Sequence, residues 1–478
     1  MKAFAGKVLI IVQNLPVPFD RRVWLEAKTL RDHGLHVSVI SPKSREHFKS
    51  HEVIEGISVY RYAMPIQAEG VLSYLFEFAY SWMMTALLSL KVLLRDGFDV
   101  IQACNPPDTY WLLGMLYKLG GKTFIFDHHD LSPEMFDSKY AGGKDAGGKD
   151  AGGKRLLRTI LVWLEKMTFK TAKIVMSTND SYKEIAVNRG HKNPQDVYVV
   201  RTGPDLNRLK SVPVEPQLKN GKPFMVCYLG EMCPQDGVDL LIESIEYYLH
   251  GLQRLDTHFV LVGGGPAMPL MKELAESKGL QDHVQFTGRV SDQDLCRYLS
   301  SADVCVDPDP WSEWSNHSTM NKMLEYMTFG KPIIAYDLEE HRNSAGRAAV
   351  YVKPNDTRLF AKAVSRLLDD PSERKLMGHF GSARIRGQLS WAHTQKALLA
   401  AYHRLFPTMM SADDAEQNIL DLVLSRIQTN AVDDLVYHMD SSLYFVNAGD
   451  EDQLLLITEK LLQYDDQLTR SPLNSLDE

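Results

Sequence analysis

Short apolar runs of strand length alternate with helical stretches in two successive series along this chain, and that alternation limits the folds open to it more than any other feature. The first series places strands at 7–12, 37–40, 100–103, 123–127, 174–177 and 197–200. Helices lie between them, such as 22–33, closed by Gly34, and 156–170. The second series places strands at 224–229, 259–262, 284–287, 304–307 and 333–336. Strand runs that are apolar throughout, each followed by a helix, belong to parallel sheets covered on both faces. The expected fold class is therefore α/β, with two Rossmann-like β/α/β domains facing a central cleft, the natural place for a ligand. Open parallel sheets bind ligands beyond the carboxyl ends of their strands, which nominates Asn14, Asn105, the segment 128–130, Arg201, Gly230, Gly288 and Asp309.

The two series join near Gly203-Pro204-Asp205, so the expected domains are 1–204 and 205–388, followed by a helix over 389–406 with an apolar stripe. Residues 407–478 form an acidic extension. The stretch 411–478 has a local balance of -12 within a chain of net charge -8, leaving the remainder at +4. Apolar spacing at 419–427 and 454–462 predicts amphipathic helices there, suited to oligomerisation or to docking a partner. No stretch combines dense Lys and Arg with aromatics, which excludes a nucleic-acid partner. Five cysteines form no CxxC pair and sit mostly in apolar runs, as reduced thiols of a cytoplasmic protein do. The chain enters a strand by Lys7, leaving no room for a signal peptide.

Two stretches bear on the surface. Ala141-Gly-Gly-Lys-Asp145 repeats as 146–150 and again, in part, as 151–154. Glycine pairs oppose regular structure, so 138–155 is expected to be a mobile cationic loop, either a solvated insertion or a lid. The apolar stretch 70–94 is long enough to span a bilayer, but Glu77 interrupts it. A buried helix of the first domain is the expectation. The alternative is an interfacial helix with Trp82 at headgroup depth, giving peripheral contact with the inner membrane face.

The chemistry concentrates in three segments. In Asn316-His-Ser-Thr-Met-Asn-Lys-Met-Leu-Glu325-Tyr-Met-Thr-Phe-Gly330, a polar run offers N-caps, a helix follows from Met320, and Gly330 stops it. The start of a helix attracts anions, and Glu325 lies far enough along to reach a ribose diol. After the first strand, Asp20 caps a helix whose first turn carries Arg21 and Arg22. The helix dipole disfavours cations there, so either a bound anion such as a lipid-linked pyrophosphate or an ion pair between Arg22 and Glu26 should offset them. The third segment is Phe126-Asp-His128-His129-Asp130-Leu-Ser-Pro-Glu134. Adjacent histidines on extended chain point to opposite sides, so no shared metal site is expected.

In this order and spacing, the 126–134 segment, Gly230, Phe286-Thr-Gly288-Arg289-Val290, Glu325 and Gly330 resemble the retaining glycosyltransferases of family 4, which have the GT-B fold. The resemblance covers residues 7–406, and it implies that the helix at 389–406 crosses back onto the first domain. It implies that Glu325 binds the ribose of a nucleotide sugar. The family's first glutamate of this helix falls at His317, a departure that bears on which sugar is taken. His129, with Asp130, matches the active-site histidine segment, which implies a hydrogen bond from His129 to the donor sugar and a part in the transition state. Many members place Arg and Lys in the loop after Gly230; here Glu231, Gln235 and Asp236 stand there. Lys322 is then the substitute for the diphosphate, assisted by Asn321 and the N–H groups around Thr319. Gly288, Arg289 and Val290 fall beside the base, and Asn14, Arg21, Arg22 and Glu134 are assigned to the acceptor. The implied reaction is metal-independent, retaining hexosyl or N-acetylhexosaminyl transfer with a nucleotide sugar, UDP-sugar favoured, as co-substrate and no cofactor. The acceptor would be a glycan or lipid-linked glycan in cell-surface polysaccharide assembly. The alternatives are a non-catalytic sugar-nucleotide sensor or partner subunit, and a sugar-nucleotide epimerase.

Overall fold

The computed structural model describes residues 6–44, 46–64, 71–141, 151–406, 435–439 and 442–446. Two compact units emerge, one from the described residues up to Thr202 together with those from Thr394 to 406, the other from Gly203–His393. In the first, β1 (Lys7–Ile11), α1 (Arg21–Asp32), β2 (His36–Pro42), β3 (His51–Ile54) and β4 (Ile57–Tyr62) lead to α2 (Val71–Arg95). Then come β5 (Val100–Cys104), α3 (Trp111–Lys118), β6 (Thr123–His128), α4 (Ser132–Ala141), α5 (Ala151–Thr171), β7 (Ile174–Ser177), α6 (Asp180–Asn188) and β8 (Val197–Val199). The eight strands lie in the order β3-β4-β2-β1-β5-β6-β7-β8, parallel except for β3 against β4. The chain reverses its direction of growth between β1 and β5, so the loops after these two strands diverge at the carboxyl edge.

The second unit holds β9 (Phe224–Leu229), α7 (Val238–Glu246), β10 (Thr257–Val262), α8 (Met268–Ser277), β11 (Val284–Gly288), α9 (Asp292–Ser301) and β12 (Val304–Asp307). It continues with α10 (Glu313–His317), α11 (Asn321–Thr328), β13 (Ile333–Tyr336), α12 (Glu339–Ala345), β14 (Ala349–Val352), α13 (Thr357–Asp369) and α14 (Pro371–Arg384). Its six strands are all parallel in the order β11-β10-β9-β12-β13-β14, with the reversal between β9 and β12. Alternate residues of these strands feed separate apolar clusters on the two faces: Val226 and Tyr228 one, Met225 and Cys227 the other. The last helix, α15 (Trp391–His403), packs on the first unit by its buried Tyr402, whose hydroxyl donates to Gln102 of β5.

Three expectations change. The loop expected over 138–155 is helical at both ends, since α4 runs to Ala141 and α5 begins at Ala151. Gly152 and Gly153 occupy the first turn of α5, where their cost of about 1 kcal/mol each is carried by the long amphipathic helix that follows; residues 142–150 lie outside the described ones. In the extension, the helices expected around 419–427 and 454–462 lie outside the described residues. What is described there is an antiparallel pair, β15 (Leu435–Met439) with β16 (Ser442–Val446), rich in the β-branched and aromatic residues that favour strands. The stretch 70–94 does form a helix, α2, but only half-buried. Ser81, Thr85 and Ser89 face inward, with Ser89 2.7 Å from the Tyr117 hydroxyl and Thr85 3.4 Å from that of Tyr110. Among the described residues no helix is long and apolar enough to cross a membrane.

Backbone crowding at the carboxyl edge of the second sheet depends on glycine at one position above all. Gly263, at φ +132°, bridges Gly288, and a Cβ there would stand 1.8 Å from the Gly230 carbonyl oxygen. Gly263→Ala should therefore destabilise the second unit by about 3 kcal/mol or more, through both strain and collision. Chemical unfolding followed by circular dichroism would show this as a lowered midpoint; an unchanged midpoint would refute the close packing of these loops.

Candidate functional site

The segment around Glu325 folds as two short helices rather than one. Ser312 caps α10 through a reciprocal arrangement with Ser315, the chain extends through Ser318, and α11 starts after Met320. The N-cap is thus Met320, with no side-chain cap bond, and not one of the polar residues 316–319. Gly330, at φ +62°, ends the helix as expected for a left-handed C-terminal glycine. Glu325 is largely buried, and its carboxylate accepts from Arg208 at 2.8 Å. Arg208 also donates to Asp292 at 2.8 Å. His317 closes α10, its Nδ1 donating to the Glu313 carbonyl at 2.8 Å. Thr319 donates to the buried Glu340 at 3.2 Å, while Asn321 is exposed at the first turn of α11.

Lys322 is not a spare cation. Its ammonium lies 3.2 Å from Asp307 and 2.7 Å from Asp309, and over the Tyr228 ring. Burial acts to deprotonate it, but the two carboxylates outweigh burial and hold the lysine charged. Asp307 stays below the usual carboxylate range because Lys322 and His341 outweigh its burial. Asp309 is pushed well up, by burial first and then by the charge of Asp307. His341 is pushed down by burial, and its Nδ1 donates to the Tyr336 carbonyl, so the neutral ring turns Nε2 toward Asp307 Oδ2 at 3.6 Å. The edge is completed by Gly230, whose Cβ would meet the Tyr228 hydroxyl at 2.7 Å, and by Gly288 at φ +67°. Arg289 beside it is exposed, and Val290 packs on the core.

The first unit gathers a second set. Arg22 is fully engaged: with Asp127 at 2.7 Å, with Glu26 at 3.1 Å, and with the Val200 carbonyl and Thr202. Of the two readings left open for Arg22, the geometry supplies the internal ion pair, which removes its charge from use by an acceptor. Arg21 and Asn14 are exposed. Glu134, at the start of α4, is nearly buried and paired with Arg189, so it too is committed internally.

His129 Nε2 lies 2.8 Å from Asp127 and 2.9 Å from Arg22 Nε. One nitrogen can serve only one of these partners at a time: it donates to Asp127, or it accepts from Arg22. In a neutral ring either choice fixes the role of Nδ1, acceptor in the first case and donor in the second. The His129 backbone N–H donates to Asn105 Oδ1 at 2.7 Å, that of Asp130 to the same oxygen at 3.2 Å, and Asn105 Nδ2 returns a bond to the Asp130 carbonyl at 2.7 Å. His128 points the other way, into the rings of Phe126, Phe169 and Tyr182, as adjacent residues on a strand must. Among the described residues two groups have the composition of metal ligands, Cys104 with Asp127 and His129, and Asp307 with Asp309 and His341. Each already contains a protein cation, Arg22 in one and Lys322 in the other.

The residues that hold these sets were only partly visible beforehand. Asn105 and Asp309 follow from the strand-end rule. Asp127 and Asp307 did not stand out, although each is the acid that breaks an apolar run, Phe-Ile-Phe-Asp127 and Val-Cys-Val-Asp307. Arg208 carried no signal, because its partner is distant in sequence.

Both units of the chain resemble known proteins. A family profile described as Glycosyltransferase Family 4 matches residues 20–208, and one described as Glycosyl transferases group 1 matches 223–370. Alpha-D-kanosaminyltransferase from Streptomyces kanamyceticus is 32% identical over 160 residues, 32% of this chain and 38% of that protein. A GDP-mannose-dependent alpha-(1-6)-phosphatidylinositol monomannoside mannosyltransferase from Mycobacterium tuberculosis is 30% identical over 195 residues, 38% of this chain and 48% of that one. The chain thus spans less than two thirds of the length of these curated relatives. Among solved structures, sucrose-phosphate synthase from Thermosynechococcus elongatus superposes with TM-score 0.66 at 19% identity, covering 84% of this chain and 99% of that one. HepE from Anabaena in complex with UDP-glucose gives 0.60 at 15%, covering 83% and 99%. The fold is GT-B, and the chain belongs to the glycosyltransferases of family 4.

Beneath Asn105, the fully buried Asp108 accepts from Asn105 and Ser132 and has its pKa pushed up to about 7, by burial first and then by the charge of Glu165. Between the ordinary carboxylate value and about 7 the folded state keeps a proton that the unfolded chain releases, so this group's contribution to stability falls as pH rises, by roughly 4 kcal/mol in all. Asp108→Asn should lack that fall. Stability of the native chain relative to the variant, from urea unfolding at about pH 4.5 and about pH 7.5, should drop by roughly 3–4 kcal/mol between the two. A pH-independent difference would refute a proton on Asp108.

Proposed function

We propose that this chain is a retaining, metal-independent glycosyltransferase that moves a hexosyl or N-acetylhexosaminyl group from a nucleotide sugar to a hydroxyl of a glycan or lipid-linked acceptor, in cell-surface polysaccharide assembly. The observation that carries the reading is α11: it opens at the carboxyl edge of the second sheet and bears Glu325 beside a sheet whose strand order reverses there. In this reading Glu325 exchanges Arg208 for the ribose hydroxyls, and the N–H groups at the start of α11, with Asn321, receive the diphosphate. The bond from the sugar's anomeric carbon to the phosphate oxygen breaks, and a bond to the acceptor oxygen forms on the same face. The acceptor proton passes to the departing phosphate oxygen. His129, its orientation set by Asp127 and Arg22, hydrogen-bonds the sugar and stabilises the charge that develops on it. UDP is the favoured nucleotide, supported by HepE, described in complex with UDP-glucose; the GDP-mannose dependence named for the mycobacterial relative makes GDP the competitor.

A second reading, a non-catalytic binder of sugar nucleotides, is favoured by His317 and by the acidic loop of Glu231 and Asp236 after Gly230. Calorimetric titration with UDP, GDP, ADP and their sugars separates the cases. Glu325→Ala should weaken binding of the preferred nucleotide by about 10- to 100-fold, the usual range for a charged hydrogen bond. His129→Ala should leave that affinity unchanged and lower kcat by about 100-fold or more. Unaltered nucleotide affinity in the Glu325 variant would remove α11 from the donor site, normal turnover by the His129 variant would remove His129 from the reaction, and conversion of the sugar without transfer would indicate an epimerase.

A further inference from the structure

Helix α2 is apolar on its outer face as well as on its inner one, which a helix facing water is not. Its inward face carries Val92 with Ser81, Thr85 and Ser89, each fully buried, while Met83, Leu87, Leu90 and Leu94 face outward, from 49% to 79% exposed. A helix on a globular surface puts its apolar stripe inward and its polar residues outward. Here the small hydroxyl residues allow close docking on the tyrosines that flank and occupy α3, and the large apolar residues are left for something else.

The two neighbouring helices repeat the pattern. Helix α3 lies between α2 and α5: Tyr117 meets Ser89 on one side, and Trp111 meets Trp163 edge-on at 5.9 Å on the other. It exposes Leu112, Leu116 and Leu119, the last at 88%. Helix α5 exposes Leu156, Ile160 and Trp163. Three adjacent helices of one unit therefore present apolar side chains to the outside, far from the scattered single residues of an ordinary surface.

Charge selects the occupant. On α2 the exposed charged side chains are Lys91 and Arg95, and the one acid, Glu77, is half-buried. On α3 the exposed charge is Lys118. On α5 the exposed charges are Arg155, Arg158, Lys166 and Lys170, while Glu165 is buried; Arg158 pairs with Asp137, and Arg95 of α2 with Asp96. An apolar face on helices whose own exposed charged residues are all cations, in a chain of net charge -8, matches neither water nor a second copy, whose same face would bring like charges together. It matches the headgroup boundary of an anionic bilayer, where leucines enter the acyl region, lysines and arginines meet phosphates, and a tryptophan sits at the interface.

We propose that the outer face of α2, α3 and α5 docks the first unit on an anionic lipid surface without crossing it. This goes beyond the proposed reaction, and its test needs neither donor nor acceptor. The full chain should float with vesicles of phosphatidylglycerol and phosphatidylcholine but not with phosphatidylcholine alone, and about 0.5 M salt should cut the bound fraction severely. Leu87→Glu with Leu116→Glu should lower partitioning about 10-fold or more, as should Arg155→Glu with Lys166→Glu and Lys170→Glu, with thermal unfolding unchanged because all five side chains are exposed. Binding should also shift tryptophan emission to the blue, and Trp163→Phe should diminish that shift. Failure to float, flotation indifferent to the leucine pair, or a dimer in sedimentation that the leucine pair dissociates would each overturn the proposal, the last by assigning the face to a second copy.

Discussion

Asp127 and Asp307 are both fully buried at the carboxyl ends of parallel strands, and everything at the two sheet edges is arranged around keeping them ionised. An isolated carboxylate in such a place would take up a proton, because desolvation penalises its charge by several kcal/mol. Each is instead met by a cation from a helix, Arg22 of α1 for Asp127 and Lys322 of α11 for Asp307. The cations are themselves in positions the helix dipole disfavours, close to the starts of their helices. Carboxylate and cation therefore need one another, and each pair ties a helix to the end of a strand. His129 inherits its orientation from the first pair, and the backbone around Gly230 closes over the second.

The same constraint divides labour between charge and shape. With Arg22 and Lys322 compensated internally, neither set presents an open cationic pocket. Much of what remains at these edges is dipolar or short, such as the backbone N–H at the start of α11 and the glycine loops. Such groups are fixed before any ligand arrives and need little reorganisation, which is the property that makes oriented dipoles effective in a dry site.

How much of this could be read from the chain depends on the range of the interaction. The alternation of strands and helices, the stop at Gly330 and the opposed directions of His128 and His129 are local consequences of period and φ, and the structure follows them. The cap of α11 fell on Met320 because Ser312 and Ser315 closed a separate short helix first, a competition among neighbouring polar residues that composition does not rank. The pairing of Glu325 with Arg208 joins residues 117 apart, and no periodicity reports it. Helix α2 failed for another reason. It is apolar nearly all round, so hydrophobic spacing could not choose an inner face; the choice was made by Ser81, Thr85 and Ser89, small groups whose four-residue spacing was the available signal.

The cluster around Lys322 balances its own charge within the second sheet's edge. One ammonium stands among Asp307, held ionised, Asp309, pushed toward its neutral form, and His341, pushed toward its neutral form. The local sum is close to zero, yet it is a sum with capacity: His341 Nε2 and Asp307 Oδ2 face one another as two acceptors with no hydrogen between them. A proton entering that gap would satisfy both atoms and give the cluster a net positive charge. Negative charge arriving at the start of α11 lowers the cost of that proton, because the two are attracted through a medium of low polarity.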